Sequence, residues 1–211
     1  MIGVILAGGK SSRFGSDKAS AILAGQPLLQ WVIDAVQQVC VEVLIIAARG
    51  QSLPAVSCDV PLRVVRDRYL ESGPLAGMVT AFEAAPEALC LVVSCDAPLI
   101  EPRLLRYLGE VAEGAMAVCP EAGGRAQPLV AVYRAADCLP AFREAVEGGE
   151  RRVLRAMSSL GTVKLLPEDE VRRFDPGLRS FSGVNTPEEL ARAASLLEER
   201  APGYPPGEGD G

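Results

Sequence analysis

The apolar positions of this chain fall into short runs separated by stretches of helical periodicity. Ile2 to Leu6 predicts a buried strand that ends at a glycine-rich loop. Pro27 to Cys40 predicts a helix, Val43 to Ala47 a strand, Leu62 to Val65 a short strand and Leu75 to Ala85 a second helix. Leu89 to Ser94 is an apolar strand running into Cys95-Asp96-Ala97-Pro98, followed by a helix over Pro102 to Val111. The proline of that helix sits in its first turn, where the missing N–H does no harm. In the second half, Ala115 to Cys119 and Leu129 to Tyr133 predict strands on either side of a turn segment, Glu121 to Arg125. Leu139, Phe142 and Val146 predict a helix over Asp137 to Val146, stopped by Gly148-Gly149. Val153, Leu154, Met157 and Leu160 mark another helix, ended by Gly161. Thr186-Pro187-Glu188-Glu189 is a capping box with proline at N1, and Leu190, Ala193, Ala194 and Leu197 are the expected buried stripe of the helix it opens. Strands alternating with helices predict an α/β fold, a mostly parallel sheet flanked by helices. From Pro202 the chain is Gly, Pro and acid, so residues 201–211 are expected to be a disordered tail.

Length and composition narrow this picture. At 211 residues the chain reads as one domain. It is 49% apolar, yet no run approaches the roughly 18–20 residues that a membrane helix needs. No basic stretch precedes the first hydrophobic segment, so no secretory signal is expected and the cytoplasm is the default compartment. The net charge of −6 argues against binding along a nucleic-acid backbone. Six cysteines without a C-x-x-C pair read as reduced, mostly buried thiols. The chain has no histidine. That excludes Ser-His-Asp triads, Cys-His pairs, histidine metal clusters and a histidine general base together. Its chemistry must rest on carboxylates, Lys, Arg, backbone amides and a metal held by oxygen.

Chemistry of that kind concentrates where the first strand ends. In Leu6-Ala7-Gly8-Gly9-Lys10-Ser11-Ser12-Arg13-Phe14-Gly15-Ser16-Asp17-Lys18 the pair Gly8-Gly9 at the strand exit is followed by three cations within ten positions. Glycines at a strand exit can form an amide nest for phosphate, with Arg and Lys neutralising its oxygens; two glycines alone would equally suit a solvated loop. A Walker loop requires a glycine where Val4 stands, and the spacing of Gly8, Gly9 and Gly15 does not fit the dinucleotide fingerprint. Asp96 lies just past the strand Leu89 to Ser94, at the carboxyl end where open α/β sheets bind ligands. Magnesium needs only one or two carboxylates besides phosphate and water, so Asp96 is the candidate metal ligand, a turn aspartate before Pro98 being the plain alternative. Asp67, after Leu62 to Val65, has the same kind of position.

The pattern L-A-G-G-x-S-x-R-x-G-x-D-K resembles the signature of the molybdenum cofactor guanylyltransferases and their nucleotidyltransferase relatives. The likeness continues through Arg66-Asp67, Gly73-Pro74-Leu75-Ala76-Gly77, Cys95-Asp96-Ala97-Pro98, Gln127-Pro128, Gly149-Glu150-Arg151-Arg152-Val153 and Val184-Asn185-Thr186-Pro187-Glu188-Glu189-Leu190. The resemblance implies a single Rossmann-like nucleotidyltransferase domain over residues 1–200, with a nucleotide-binding half (1–100) and an acceptor-binding half (101–200). It implies transfer of GMP from GTP to the phosphate of molybdenum-bearing molybdopterin with Mg2+, and delivery of the product to molybdoenzymes or cofactor chaperones. Carried over, Leu6, Ala7, Gly8, Gly9 and Asp67 would contact the nucleotide. Arg13 and Lys18 would contact the triphosphate, and Asp96 would hold magnesium. Arg151, Arg152 and Asn185 would face the acceptor. The chain departs from the pattern at Gly183 and at Ala48, where asparagine is often found. A cytidylyl- or other nucleotidylyltransferase acting on a phosphorylated small molecule, and a non-catalytic nucleotide-binding protein that delivers cofactor, remain alternatives at this point.

Overall fold

A computed structural model describes residues 1–8, 18–69 and 73–198. Gly9, Arg13 and the 201–211 tail, all singled out above, lie outside the described residues. In chain order the strands and helices are β1 (Ile2–Leu6), β2 (Ile22–Leu23), β3 (Gln26–Pro27), α1 (Leu28–Val36), β4 (Val43–Ala47), β5 (Leu62–Arg66), α2 (Gly73–Ala84), β6 (Leu89–Ser94), α3 (Pro102–Glu110), β7 (Ala117–Ala122), β8 (Arg125–Ala126), β9 (Val130–Arg134), α4 (Ala135–Glu147), α5 (Val153–Met157), β10 (Val163–Leu166), α6 (Glu168–Val171) and α7 (Pro187–Glu198). Single 3-10 turns occur at Lys18–Ser20 and Arg179–Phe181.

The main sheet runs β10-β7-β9-β6-β1-β4-β5, with β8 added at the end of β7. Its centre is parallel, as expected: β1 pairs in parallel with both β6 and β4, and β4 with β5. The second half is mixed, because β9 runs antiparallel to β6 and β7 while β10 returns parallel to β7. The capping box forms as read: Glu189 N donates to Thr186 Oγ1 at 3.2 Å, and Glu189 Oε2 accepts from Thr186 N at 3.1 Å. Of the expected stripe on α7 only Ala193 is fully buried, with Leu190, Ala194 and Leu197 half-covered around it. Two helices are shorter than their apolar pattern. Pro27 belongs to the β2–β3 hairpin rather than to α1, and α5 stops at Met157.

Side chains of the central strands alternate between two cores. Ile5, Val93 and Ile45 pack with α1 and α3 on one face, whereas Val4, Leu6 and Val92 pack with α2, α4 and α5 on the other. In α2 every residue from Leu75 to Phe82 is buried, as befits a helix with no polar stripe. A smaller cluster of Leu23, Leu28, Leu99, Val184 and Ala193 fastens α7 over the start of α1. All six cysteines are free and five are buried, Cys58 being half-exposed. Burial pushes the thiols of Cys40, Cys90, Cys119 and Cys138 up to about 12, so they stay protonated and inert. Among the described residues no helix is long and apolar enough to cross a membrane.

Helix α1 lies so close to β1 that a Cβ at Gly3 would stand 2.1 Å from Val36 Cγ1. Val36 is β-branched and fully buried, and cannot rotate away cheaply. Gly3→Ala should therefore lower stability by about 1–3 kcal/mol through overpacking. Equilibrium urea unfolding measures it, and an unchanged midpoint would mean that the helix shifts at no cost.

Candidate active site

Parallel pairing lines up the carboxyl ends of β5, β4, β1 and β6 along one edge. At the β1 exit, Ala7 N and Gly8 N both donate to Ile46 O, at 2.8 and 3.1 Å. These two amides are thereby committed to the sheet. A phosphate nest in this loop would have to draw on amides beyond Gly8, which lie outside the described residues. Gly8 instead serves close approach: a Cβ there would sit 3.2 Å from Ala48 N. The two exits are laced by Gln51, whose Nε2 donates to Ala7 O at 2.9 Å while its Oε1 accepts from Ala48 N at 2.8 Å. Arg66 completes this brace by donating from Nη1 to Ala48 O and Gln51 O.

Beyond β6, Asp96 meets residues from both ends of the chain. Lys18 Nζ stands 3.1 Å from Asp96 Oδ2 and also donates to Asn185 Oδ1. Asn185 is carried there by backbone, since Val184 N donates to Asp96 O at 2.7 Å. Glu189 of the capping box accepts from Asn185 N and holds the residue at the head of α7. The Lys18 and Asp96 side chains are each about one-fifth exposed, at 22% and 23%, open enough to exchange partners with a ligand. Two hard oxygens thus converge on a single cationic point. No described group of three His, Cys, Asp or Glu gathers as a metal cluster. A site built from one carboxylate and one amide oxygen suits magnesium, which takes its remaining ligands from phosphate and water.

Asp67 follows β5 and is fixed on one side only. Its N–H donates to Ala47 O at 2.8 Å, and its Oδ1 accepts from Tyr69 N at 3.0 Å and Thr80 Oγ1 at 2.9 Å. Its Oδ2 faces Gly77, 3.9 Å from where a Cβ would be, and that Cβ would also stand 3.2 Å from Leu6 Cδ2. Gly77 in α2 therefore lets β1, α2 and Asp67 close on one another.

The arginine pair lies apart from Asn185. The Arg151 carbonyl oxygen and Cβ lie 3.4 and 3.6 Å from a Cβ built at Gly73, the first residue of α2, whose φ is +74°. Val153 then enters the core shared by α2 and α4, on the face of the sheet away from α1. Both arginines are exposed, and Arg152 Nε donates to Glu150 Oε1 at 3.2 Å. The Glu150 carboxyl is held down to about 2 by the Arg152 N–H, then by the Arg152 guanidinium and the Arg151 N–H. An anion approaching Arg152 must compete with that carboxylate. The three residues read from sequence as one acceptor wall are thus divided: Asn185 joins Lys18 and Asp96, and the arginines flank the start of α2. Gln51 and Thr80, which orient the site from behind, carried no motif that would have disclosed them.

A MobA-like NTP transferase domain matches residues 3–162. The chain belongs to that family. A molybdenum cofactor guanylyltransferase of Cereibacter sphaeroides is 37% identical over 207 residues, covering 95% of this chain and 99% of that one. Another, of Desulfosudis oleivorans, is 30% identical over 198 residues, covering 93% and 95%. Among solved structures, molybdopterin-guanine dinucleotide biosynthesis protein A of Archaeoglobus fulgidus superposes with a TM-score of 0.77 at 25% identity, over 94% of this chain and all of that one. The family's fold is the mostly parallel sheet flanked by helices described above, in a single domain. As a family member the chain is a nucleotidyltransferase.

Asn185 reaches Lys18 only while its backbone is held at the head of α7. Thr186→Ala removes the cap hydroxyl and should cost about 1 kcal/mol of stability. Thermal and urea unfolding measure it; Thr186→Ser, which keeps the hydroxyl, should recover most of the loss.

Proposed function

We propose that this chain is a cytoplasmic, magnesium-dependent enzyme that transfers GMP from GTP to the phosphate of molybdenum-bearing molybdopterin, for delivery to molybdoenzymes. The observation that carries the reading is the convergence of Lys18, Asp96 and Asn185 at the carboxyl ends of β1 and β6, in a chain without histidine. The names of the Cereibacter and Desulfosudis relatives support the guanylyl group and the molybdenum cofactor.

An acceptor phosphate oxygen attacks the α-phosphorus of GTP, the bond to the β-phosphate oxygen breaks, and pyrophosphate leaves with the electron pair. The acceptor is already anionic, so no residue need remove a proton. What the chain must supply is positioning and positive charge. In this reading Leu6, Ala7, Gly8, Gly9 and Asp67 contact the nucleotide, and Asp67 keeps Oδ2 free of described hydrogen-bond donors for it. Lys18 and Arg13 neutralise the triphosphate. Lys18 exchanges its contacts with Asp96 and Asn185 for phosphate oxygens when the nucleotide arrives. Magnesium, which Asp96 and the Asn185 amide oxygen would hold, supplies Lewis-acid stabilisation of phosphate oxygens when bound. Arg151 and Arg152 meet the acceptor phosphate, Arg152 by exchanging Glu150 for it.

Mass analysis after incubation with molybdopterin, molybdate, magnesium and each NTP in turn tests the reaction. Guanine dinucleotide is expected from GTP, and product from CTP alone would overturn the choice of base. Asp96→Asn should lower turnover at least about 100-fold with the fold intact, the scale of losing one main electrostatic stabiliser. Near-normal pyrophosphate release from that folded variant would sink the role of Asp96. Replacing Arg151 and Arg152 together by alanine should weaken binding of the phosphorylated acceptor and leave GTP affinity almost unchanged, as calorimetry reads directly. Loss of GTP affinity with acceptor binding intact would reverse the assignment.

A further inference from the structure

We infer that the fused ring system of the acceptor lies in a groove between the Gly177–Gly183 segment and α7, with its phosphate arm crossing the carboxyl edge of the sheet toward the start of α2, where Arg151 and Arg152 stand. The inference rests on the transfer reading above and names the part of the acceptor that this groove takes.

The groove holds about 580 Å³, within the usual range of roughly 300–1,000 Å³ for small-molecule sites. That is far more room than a lone phosphate requires. Leu99, Phe181 and Leu196 give it an apolar lining, and the side chains of Arg179 and Arg192 border it. Arg192 is exposed and makes no ion pair or hydrogen bond with any described residue. An apolar slot with guanidinium walls suits a planar nitrogen heterocycle, because guanidinium stacks on aromatic faces and donates to ring nitrogen and carbonyl edges. The one carboxylate on the lining, Glu189, accepts from the Asn185 and Thr186 amides and is engaged at the helix cap.

The groove also leads to the chemistry. Its wall includes Gly183 and Val184, and Val184 N–H is bonded to Asp96 O. Position 183 has no side chain, and a Cβ there would stand 3.2 Å from Asn185 Nδ2 and 3.8 Å from Asp96 Oδ2. A ring seated in the groove can therefore extend a phosphate arm past Gly183 toward the metal-binding oxygens. A larger residue at 183 would narrow that passage.

The test uses the full chain and two ligands, molybdopterin and the same pterin with its phosphate removed, titrated anaerobically by pterin fluorescence. Arg192→Glu and Arg179→Ala should each weaken both ligands at least about 10-fold, and by the same factor, because the ring and not the phosphate is lost. GTP affinity by calorimetry should not move, which also reports an intact fold. Unaltered pterin affinity in both variants overturns the groove, as does a wild-type protein that binds the phosphorylated pterin and ignores the dephosphorylated one. Failure of the transfer reading looks different: pterin binding would persist, sensitive to Arg192→Glu, while GTP gave no dinucleotide product.

Discussion

Parallel pairing of β5, β4, β1 and β6 forces four carboxyl ends onto one edge of the sheet, and each piece of the site hangs from that edge. Strand carbonyls and amides there need partners once the ladder stops. Ile46 O takes two amides, Gln51 bridges Ala7 O and Ala48 N, and Asp96 O takes the Val184 amide. These bonds end the sheet cleanly, and they also fix the backbone from which Asp67, Asp96 and Asn185 project. Positioning in this protein is a by-product of satisfying strand ends.

The Lys18–Asp96 pair is a different matter. Partly exposed ion pairs contribute little stability, typically about 0–1 kcal/mol, so this one does not hold the fold together. Its value lies in where it keeps charge. Without ligands the ammonium neutralises two oxygens that would otherwise face each other, and it keeps them aimed at one point. In the proposed reaction that arrangement would serve by exchange: the two oxygens would hold a divalent cation, and the ammonium would turn to phosphate. Such a swap demands a cation on a flexible stem, which is what lysine supplies and arginine, with its rigid fork, does not.

The parts of this design that could be read from sequence are those with a local physical signature. β1, β4 and β6 are buried on both faces and appear as unbroken apolar runs, so their limits match the structure. The α7 cap is spelled out in four consecutive residues and forms as spelled. β10 was not legible even though Gly161 and Pro167 bracket it, because Val163-Lys164-Leu165-Leu166 is a four-residue edge strand with Leu165 exposed and no apolar alternation. The reversal of β9 was not legible either, since strand direction is settled by pairing and leaves no periodicity behind. For the site, Asp96 could be recognised from its place after an apolar strand. Its contacts with Lys18, across 78 residues, and with Val184, from the opposite end of the chain, could not. Grouping Asn185 with Arg151 and Arg152 followed sequence order, and the sheet separates them because one follows the layer over α1 and the others enter the layer of α2 and α4.

The two departures from the family pattern acquire a physical meaning in this frame. Ala48 presents no polar side chain at the β4 exit, yet a primary amide stands at that exit all the same, supplied by Gln51 from the end of the turn. Gly50, with φ +74°, lets the chain reverse sharply enough to bring that amide back over Ala48. Gly183 is the converse case, since no neighbouring amide takes its place and even a Cβ there would crowd Asn185 Nδ2 at 3.2 Å. One loss is therefore made good by a neighbour that braces the β1 and β4 exits, and the other leaves position 183 without a side chain on the wall of the groove toward α7. Both departures thus fall on the carboxyl edge of the sheet, one where strand-end amides and carbonyls need partners and one beside the point where Lys18, Asp96 and Asn185 meet.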